Sequence, residues 1–176
     1  MRLGLKNDEI SLSVYTDEWN EEFSRVKKEI IKYTSIKENR IEHIGSTAIK
    51  DMLAKPIIDI LIAVDDIVNI DNSLINSLKK VGFLRLRVER PNEIIFAKFH
   101  DDTYEEKTHF IHLVEYEKEL WENLLFFRDY LNAFELARNK YIEIKLDYIR
   151  KSTTGINEYT KHKEEFVNEI FCKRKK

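Results

Sequence analysis

One carboxylate stands inside a run of branched apolar side chains, Pro56-Ile-Ile-Asp-Ile-Leu-Ile-Ala-Val64, and a glycine followed by two hydroxyl residues, Gly45-Ser46-Thr47, precedes it. An aspartate among isoleucines is costly to keep ionised unless a metal ion, a cation or hydrogen-bond donors meet it, so Asp59 is the first candidate for catalysis and for metal ligation. Gly45 lacks a Cβ, which permits an unusual backbone angle or the close approach of a ligand. Ser46 or Thr47 can cap a short helical turn over residues 48–53 whose first amides would seat a phosphate. Lys55 lies between the turn and the carboxylate as a phosphate ligand, with Glu42 and Asp51 able to offset its charge.

Strand periodicity constrains the neighbours of Asp59. Ile57, Asp59 and Leu61 point to one face, and Ile58, Ile60 and Ile62 to the other. A second carboxylate at position 61 would be the economical start of a two-metal site, but that residue is leucine. A divalent ion at Asp59 would therefore draw ligands from another strand or from substrate phosphates. Residues 108–116 read as that other strand, with Phe110, His112 and Val114 on one face and His109 on the opposite one. His112 is the candidate catalytic histidine; a buried histidine that merely satisfies a hydrogen bond fits the same pattern. His43, just before the glycine, either donates to phosphate or braces the loop. Arg128-Asp129 interrupts an aromatic helix face, as a solvated salt link or as a guanidinium fork aimed at a phosphate or at Asp59. Lys50 and Lys98 are weaker candidates for the cleft, and Lys145, Tyr159 and Lys161 fit a wet surface as readily as a site. No HExxH spacing or Ser-His-Asp motif is present.

The elements that must position these residues follow from periodicity. Thr16 precedes a helix over 17–33 in which Trp19, Phe23, Val26 and Ile30 recur on one face. Residues 40–44 and 56–64 form strands, the second continuously apolar as a central strand should be. A helix over 72–81 stops at Gly82. Phe83-Leu-Arg-Leu-Arg-Val88 alternates as a half-exposed strand, Pro91-Asn92 turns the chain, and 93–99 returns antiparallel. Residues 117–132, 134–150 and 157–173 are helices that wall one side of the cleft. Residues 1–11 read as loose, and 12–15 as a short strand. The sum is an α/β (α+β) fold, a sheet with packed helices and a helical C-terminal third.

Composition bounds the class. A chain of 176 residues suits one domain with a sizeable core. Its 30 basic and 32 acidic side chains give a formal charge of -2, which argues against a dedicated nucleic-acid binder. Cys172 is the lone cysteine, so a disulfide framework and a thiolate zinc site are excluded and a reducing, cytoplasmic setting is expected. No apolar run approaches the roughly 20 residues that span a bilayer, and the first residues lack the apolar core of a signal peptide.

Several ordered motifs together resemble the GrpB family, a branch of the nucleotidyltransferase-like superfamily: His43-Ile-Gly-Ser-Thr-Ala48, Ala54-Lys-Pro-Ile-Ile-Asp59, His109-Phe-Ile-His112, Phe127-Arg-Asp-Tyr-Leu131, Tyr141 with Lys145, and Tyr159 with Lys161 and Phe166. Trp19 with Phe23 fits its N-terminal pattern, and the resemblance runs over about residues 12–172. This family is distinct from the similarly named nucleotide-exchange factor of chaperone systems. Some members are fused to dephospho-coenzyme A kinase. The resemblance implies a nucleotidyltransferase-like mixed sheet, nucleotide phosphates at Gly45 and Ser46, and a magnesium-binding carboxylate at Asp59. It also implies that Leu61 replaces the second carboxylate of active transferases and that His112 occupies the region of the third. Lys50-Asp51 stands where the family usually has Pro-Gly. Two functions are expected from this reading. One is a magnesium-dependent transfer of a nucleotidyl or phosphoryl group from a nucleoside triphosphate to a small acceptor, with Asp59 and His112 catalytic and Gly45, Ser46, Thr47, Lys55, Arg128 and His43 binding the nucleotide. The other is non-catalytic binding of a nucleotide or phosphorylated metabolite by a degenerate transferase site.

Overall fold

The computed structural model describes residues 2–6, 9, 11–151 and 156–174. Its centre is a mixed sheet in the order β2-β3-β6-β5-β4, built from β2 (Ile41–Ile44), β3 (Ile58–Val64), β4 (Phe83–Arg90), β5 (Glu93–Phe99) and β6 (Glu106–Glu115), with β1 (Leu5–Lys6) paired to β6. β3 and β6 run parallel, and the other pairs are antiparallel. Helix α1 (Glu18–Tyr33) and α2 (Asn72–Lys80) are followed, after the sheet is complete, by α3 (Glu119–Ala133), α4 (Glu135–Lys151) and α5 (Ile156–Arg174).

The unbroken apolar run of β3 has a simple cause: both of its faces are covered. Ile58, Ile60 and Ile62 join Ile111, Leu113 and Phe96 in a core closed by Trp19, Val26 and Ile30 of α1 and by Leu78 of α2. On the opposite face Leu61, Ala63 and Val114 pack with Ile44 against Trp121 of α3. A third cluster joins α3, α4 and α5 through Phe127, Leu131, Tyr141, Phe166 and Ile170, and takes in Ile49 and Met52 from the segment after the glycine turn. The C-terminal helices are thus anchored on the loop that leads from β2 to β3.

Register decides which residues can meet. Asp59 pairs with Phe110 and Leu61 with His112 across the parallel ladder, while His112 pairs with Ile95 on β5. Registered partners point to the same side of a sheet, so Asp59, His112 and Glu93 share the face opposite α1. The β4–β5 hairpin turns on Pro91 and Asn92, with Asn92 at a φ of 58°, a conformation asparagine tolerates better than most residues. That turn sets Glu93 at the first position of β5.

Two local expectations change. The stretch 12–15 makes only an isolated bridge, Ser13 to Ala54, whereas Leu5–Lys6, read as loose, adds a short strand. The helical turn after Gly45 begins earlier than expected, as a 3-10 turn over Ser46–Ala48, and no side chain caps it. Asp51 beyond it takes a φ of 60°.

Ile60, fully buried between α1 and the sheet, tests this core. Ile60→Ala should lower the unfolding free energy by about 2–5 kcal/mol, measured by urea titration, while Val68→Ala at a site 85% exposed should change it by less than about 0.5 kcal/mol.

Candidate functional site

Gly45 adopts φ 70° and ψ -170° at the end of β2, where Ile44 pairs with Asp59. A Cβ added to Gly45 would strike the Asp59 Oδ2 atom and come within 2.9 Å of its Cβ and Cγ. Glycine is therefore required twice, by the backbone angle and by the carboxylate lying against it. The hydroxyls that follow are used for bracing. Ser46 Oγ accepts from Lys145 Nζ at 2.7 Å, and the same ammonium group donates to the Leu53 carbonyl at 2.7 Å. Thr47 Oγ1 lies 3.0 Å from His43 Nε2 and donates to the Ile57 carbonyl at 3.4 Å. From α3, Asn132 Oδ1 accepts from the Lys50 amide at 2.9 Å and its Nδ2 donates to the Ala48 carbonyl at 3.1 Å. The first amides of the 3-10 turn remain the ones without intrahelical acceptors.

Beneath the turn, Asp59, His112 and Glu93 form a row across three strands. His112 Nε2 is 3.4 Å from Asp59 Oδ1 and its Nδ1 is 2.5 Å from Glu93 Oε1. Their side chains are 30%, 17% and 8% exposed for Asp59, His112 and Glu93, so the row becomes drier towards β5. Burial disfavours the charged imidazole, but the hydrogen bonds and charges of Asp59 and Glu93 outweigh it and raise the His112 pKa to about 9. Glu93 is lowered from the ordinary glutamate value: burial pushes it up, and the contacts with His112 and Arg90 more than reverse that. His112 is thus an imidazolium at neutral pH, with both ring nitrogens donating. Of the two roles expected for it, base or donor, a raised pKa favours the donor, since a protonated ring has no lone pair to accept a proton.

Three lysines converge above Asp59. Lys55 and Lys163 line a cavity of about 150 Å³ together with Ser46, Thr47, Asp59 and Phe110, and Lys145, 1% exposed, adjoins it through Ser46. Burial lowers the Lys55 pKa to about 8 against the pull of Asp59. Burial and then the charge of Lys55 lower Lys163 to about 8. Lys145 is pushed well below the usual lysine value, by burial first and by Lys163 second, while its ammonium packs 4.5 Å from the Tyr141 ring centroid.

Lys163 and Glu93 are the members of the site that sequence reading missed. Helical spacing could have found Lys163: it lies three residues before Phe166 and seven before Ile170, both buried on α5, whereas Lys161 falls on the exposed side. Strand parity could have found Glu93 once β5 was paired with β6. The Tyr159 side chain lies outside the described residues.

Other expected site residues have different employment. His43 is 6% exposed, stacks on Phe23 at 4.8 Å and bonds Asn20 and Thr47. Burial lowers its pKa to about 4, so it is a neutral brace for the turn with both ring nitrogens engaged. Arg128 directs Nε to Asp129 (2.7 Å) and Nη1 to Glu42 (2.7 Å) and the His43 carbonyl (2.9 Å), which clamps α3 to β2, and the cavity is lined by other residues. Lys98 registers with His109 and lies over Phe83 on the α1 side, away from the cleft.

The magnesium expected at Asp59 meets an unsuitable donor set. Magnesium needs an octahedron of oxygens, yet the neighbours of Asp59 are ammonium groups and an imidazolium, Leu61 is fully buried among apolar side chains, and Glu93 is turned to His112 and Arg90. Among the described residues no group of three His, Cys, Asp or Glu is arranged to hold an ion. With one carboxylate and, among the described residues, no acidic cluster beside it, the residues present do not by themselves fit the magnesium ion expected at Asp59.

Gly45→Ala should destabilise the fold by about 1–3 kcal/mol, and by less in an Asp59→Ala background, because the carboxylate is what the new methyl meets; a double-mutant cycle in urea measures the difference. A folded pKa raised above the ordinary histidine value means that the His112 contribution is full below about pH 6.5 and is lost as pH rises through about 9. His43 and His109, both lowered to about 4 by burial, contribute above about pH 6.5 and lose that contribution as pH falls to about 4. NMR titration of the imidazoles should therefore give one midpoint near 9 and two near 4, and the signal near 9 should vanish in His112→Gln.

Comparison with known proteins agrees with this architecture. The family described as GrpB protein matches residues 9–173. The Glutamate-rich protein GrpB of Alkalihalophilus pseudofirmus is 36% identical over 96% of this chain and 97% of its own, and a UPF0157 protein of Halalkalibacterium halodurans is 31% identical over 93% and 82%. The chain spans 45% of UPF0157 protein YqkA of Bacillus subtilis, at 29% identity. Among solved structures, the conserved protein GrpB from Enterococcus faecalis superposes with a TM-score of 0.77 at 24% identity, over 93% of this chain and 96% of that one. The Cid1 poly(U) polymerase, in a MgGTP-bound crystal, superposes at 0.53 with 13% identity over 80% of this chain and 45% of that one, a likeness of fold alone. With the family matched along almost its entire length and a nucleotidyltransferase-like sheet beneath the glycine turn, this chain belongs to the GrpB family.

Proposed function

We propose that the cleft between the glycine turn, β3 and α5 binds a nucleotide or another phosphorylated small molecule without transferring it, in a sensing or accessory role. The observation that carries this reading is the convergence of Lys55 and Lys163, from two different elements, on one carboxylate and one hydroxyl-bearing turn that Lys145 braces. Desolvated ammonium groups in excess over carboxylate favour an anion, and phosphate is the anion whose oxygens can use the amides of such a turn as well. Leu61 and the imidazolium of His112 supply none of the oxygens that a two-metal transferase would gather at this point.

A specific observation also favours a transferase reading: Asp59 lies directly against the Gly45 backbone, on a fold shared with the Cid1 poly(U) polymerase. In that reading His112 donates a hydrogen bond and Lys55 neutralises charge developing on the transferred group.

Calorimetry with ATP, GTP and UTP, each with magnesium and with EDTA, separates the two. Binding should occur with weak metal dependence, and Asp59→Asn should strengthen it several-fold by removing the carboxylate that opposes the anion. Steady release of pyrophosphate from a nucleoside triphosphate by wild type, lost in Asp59→Asn, would establish the transferase instead. Absence of heat with all three at millimolar concentration would overturn the binding reading.

A further inference from the structure

The size and lining of the pocket beneath the glycine turn bear on what is recognised. Its volume is about 150 Å³, below the roughly 300–1,000 Å³ of pockets that enclose drug-sized organic ligands and equal to about five water molecules at ~30 Å³ each. A phosphoryl group fits within such a space, and a whole nucleoside would extend beyond it. The polar lining is made of hydroxyls, from Ser46, Thr47 and Thr160, and of ammonium groups, from Lys55 and Lys163, against the single carboxylate of Asp59. The ammonium groups complement phosphate oxygens, whereas the Thr47 hydroxyl is held by His43 and the Ile57 carbonyl and the Ser46 oxygen by Lys145. The apolar lining comes from Ile57 and Phe110, too little to sandwich a base. The positive charge that a bound magnesium would bring is already present on the chain, delivered by α5 on one side and by the segment before β3 on the other.

Resting on the phosphorylated-ligand reading above, we infer that the site takes a terminal phosphoryl group between Lys55 and Lys163 without a divalent cation, and that the remainder of the ligand, any nucleobase included, lies outside this pocket. The site then reads a phosphate end and ignores the base. A phosphate ester, a nucleoside triphosphate and inorganic pyrophosphate share the recognised chemistry, and the identity of the group beyond it is left to the rim.

The test is calorimetry on the full chain in EDTA with sodium pyrophosphate, ATP, GTP, UTP and adenosine as probes. Pyrophosphate and the three nucleotides should bind within about threefold of one another, and adenosine should give no heat. Lys163→Gln should weaken pyrophosphate by about tenfold or more, as expected for loss of a charge-assisted bond, with Lys55→Gln doing the same independently and Lys161→Gln, at an exposed position of the same helix, having no effect. Circular dichroism confirms that each variant is folded; the comparison among probes on wild type needs no variant. Binding of nucleotides with no binding of pyrophosphate, a preference above tenfold for one base, or a strict need for magnesium would overturn this inference while leaving the broader reading intact. Failure of every phosphorylated probe would overturn both.

Discussion

A carboxylate in the middle of an apolar strand has to be met by positive charge, and the structure around Asp59 is organised by that requirement. His112 meets it within the sheet, Lys55 from the segment leading into the same strand, and Lys163 and Lys145 from the C-terminal helices. The glycine turn is shaped by the same residue, since only a residue without a Cβ leaves room for the Asp59 side chain. Charge compensation here is distributed over β3, β6, α4 and α5, so the helices do more than cover the sheet.

The two faces of the sheet treat histidine in opposite ways. On the α1 side His109 bonds Thr108 and Glu22, with Arg25 drawing on the same glutamate, and burial keeps the ring neutral. On the cleft side His112 faces two carboxylates, and their combined attraction exceeds the penalty of burial. One strand thus carries, three residues apart, a neutral histidine that packs and a charged one that balances a site.

Much of this was legible in the sequence. Periodicity of two placed Asp59 and His112 on a common face, and the continuous apolar run marked β3 as doubly covered, because both signals reflect only the geometry of an extended chain. Five helices and the order of the main strands follow from similarly local rules. What escaped reading was relational. Glu93 gains meaning only when β5 is registered against β6, and Lys163 only when α5 is docked on the turn. Arg128 looked like a phosphate ligand because a guanidinium on an aromatic face is ambiguous until its acceptors are known, and they are Glu42, Asp129 and a backbone carbonyl. The early start of the turn at Ser46 was hidden because Lys145, distant in the chain, takes the hydroxyl that would otherwise have capped a helix.

Three clamps hold the segment around the glycine turn: Arg128 on the His43 carbonyl, Asn132 on the Ala48 carbonyl and the Lys50 amide, and Lys145 on Ser46 and Leu53. They reach it from residues 82 to 99 positions later in the chain. During synthesis the strands are complete well before these helices emerge, so a ribosome-bound chain ending after β6 holds every strand of the sheet and none of these clamps. Order at the glycine turn consequently follows the sheet in the nascent protein, and the long separation between clamp and turn makes that order a report that translation has reached the C-terminal helices.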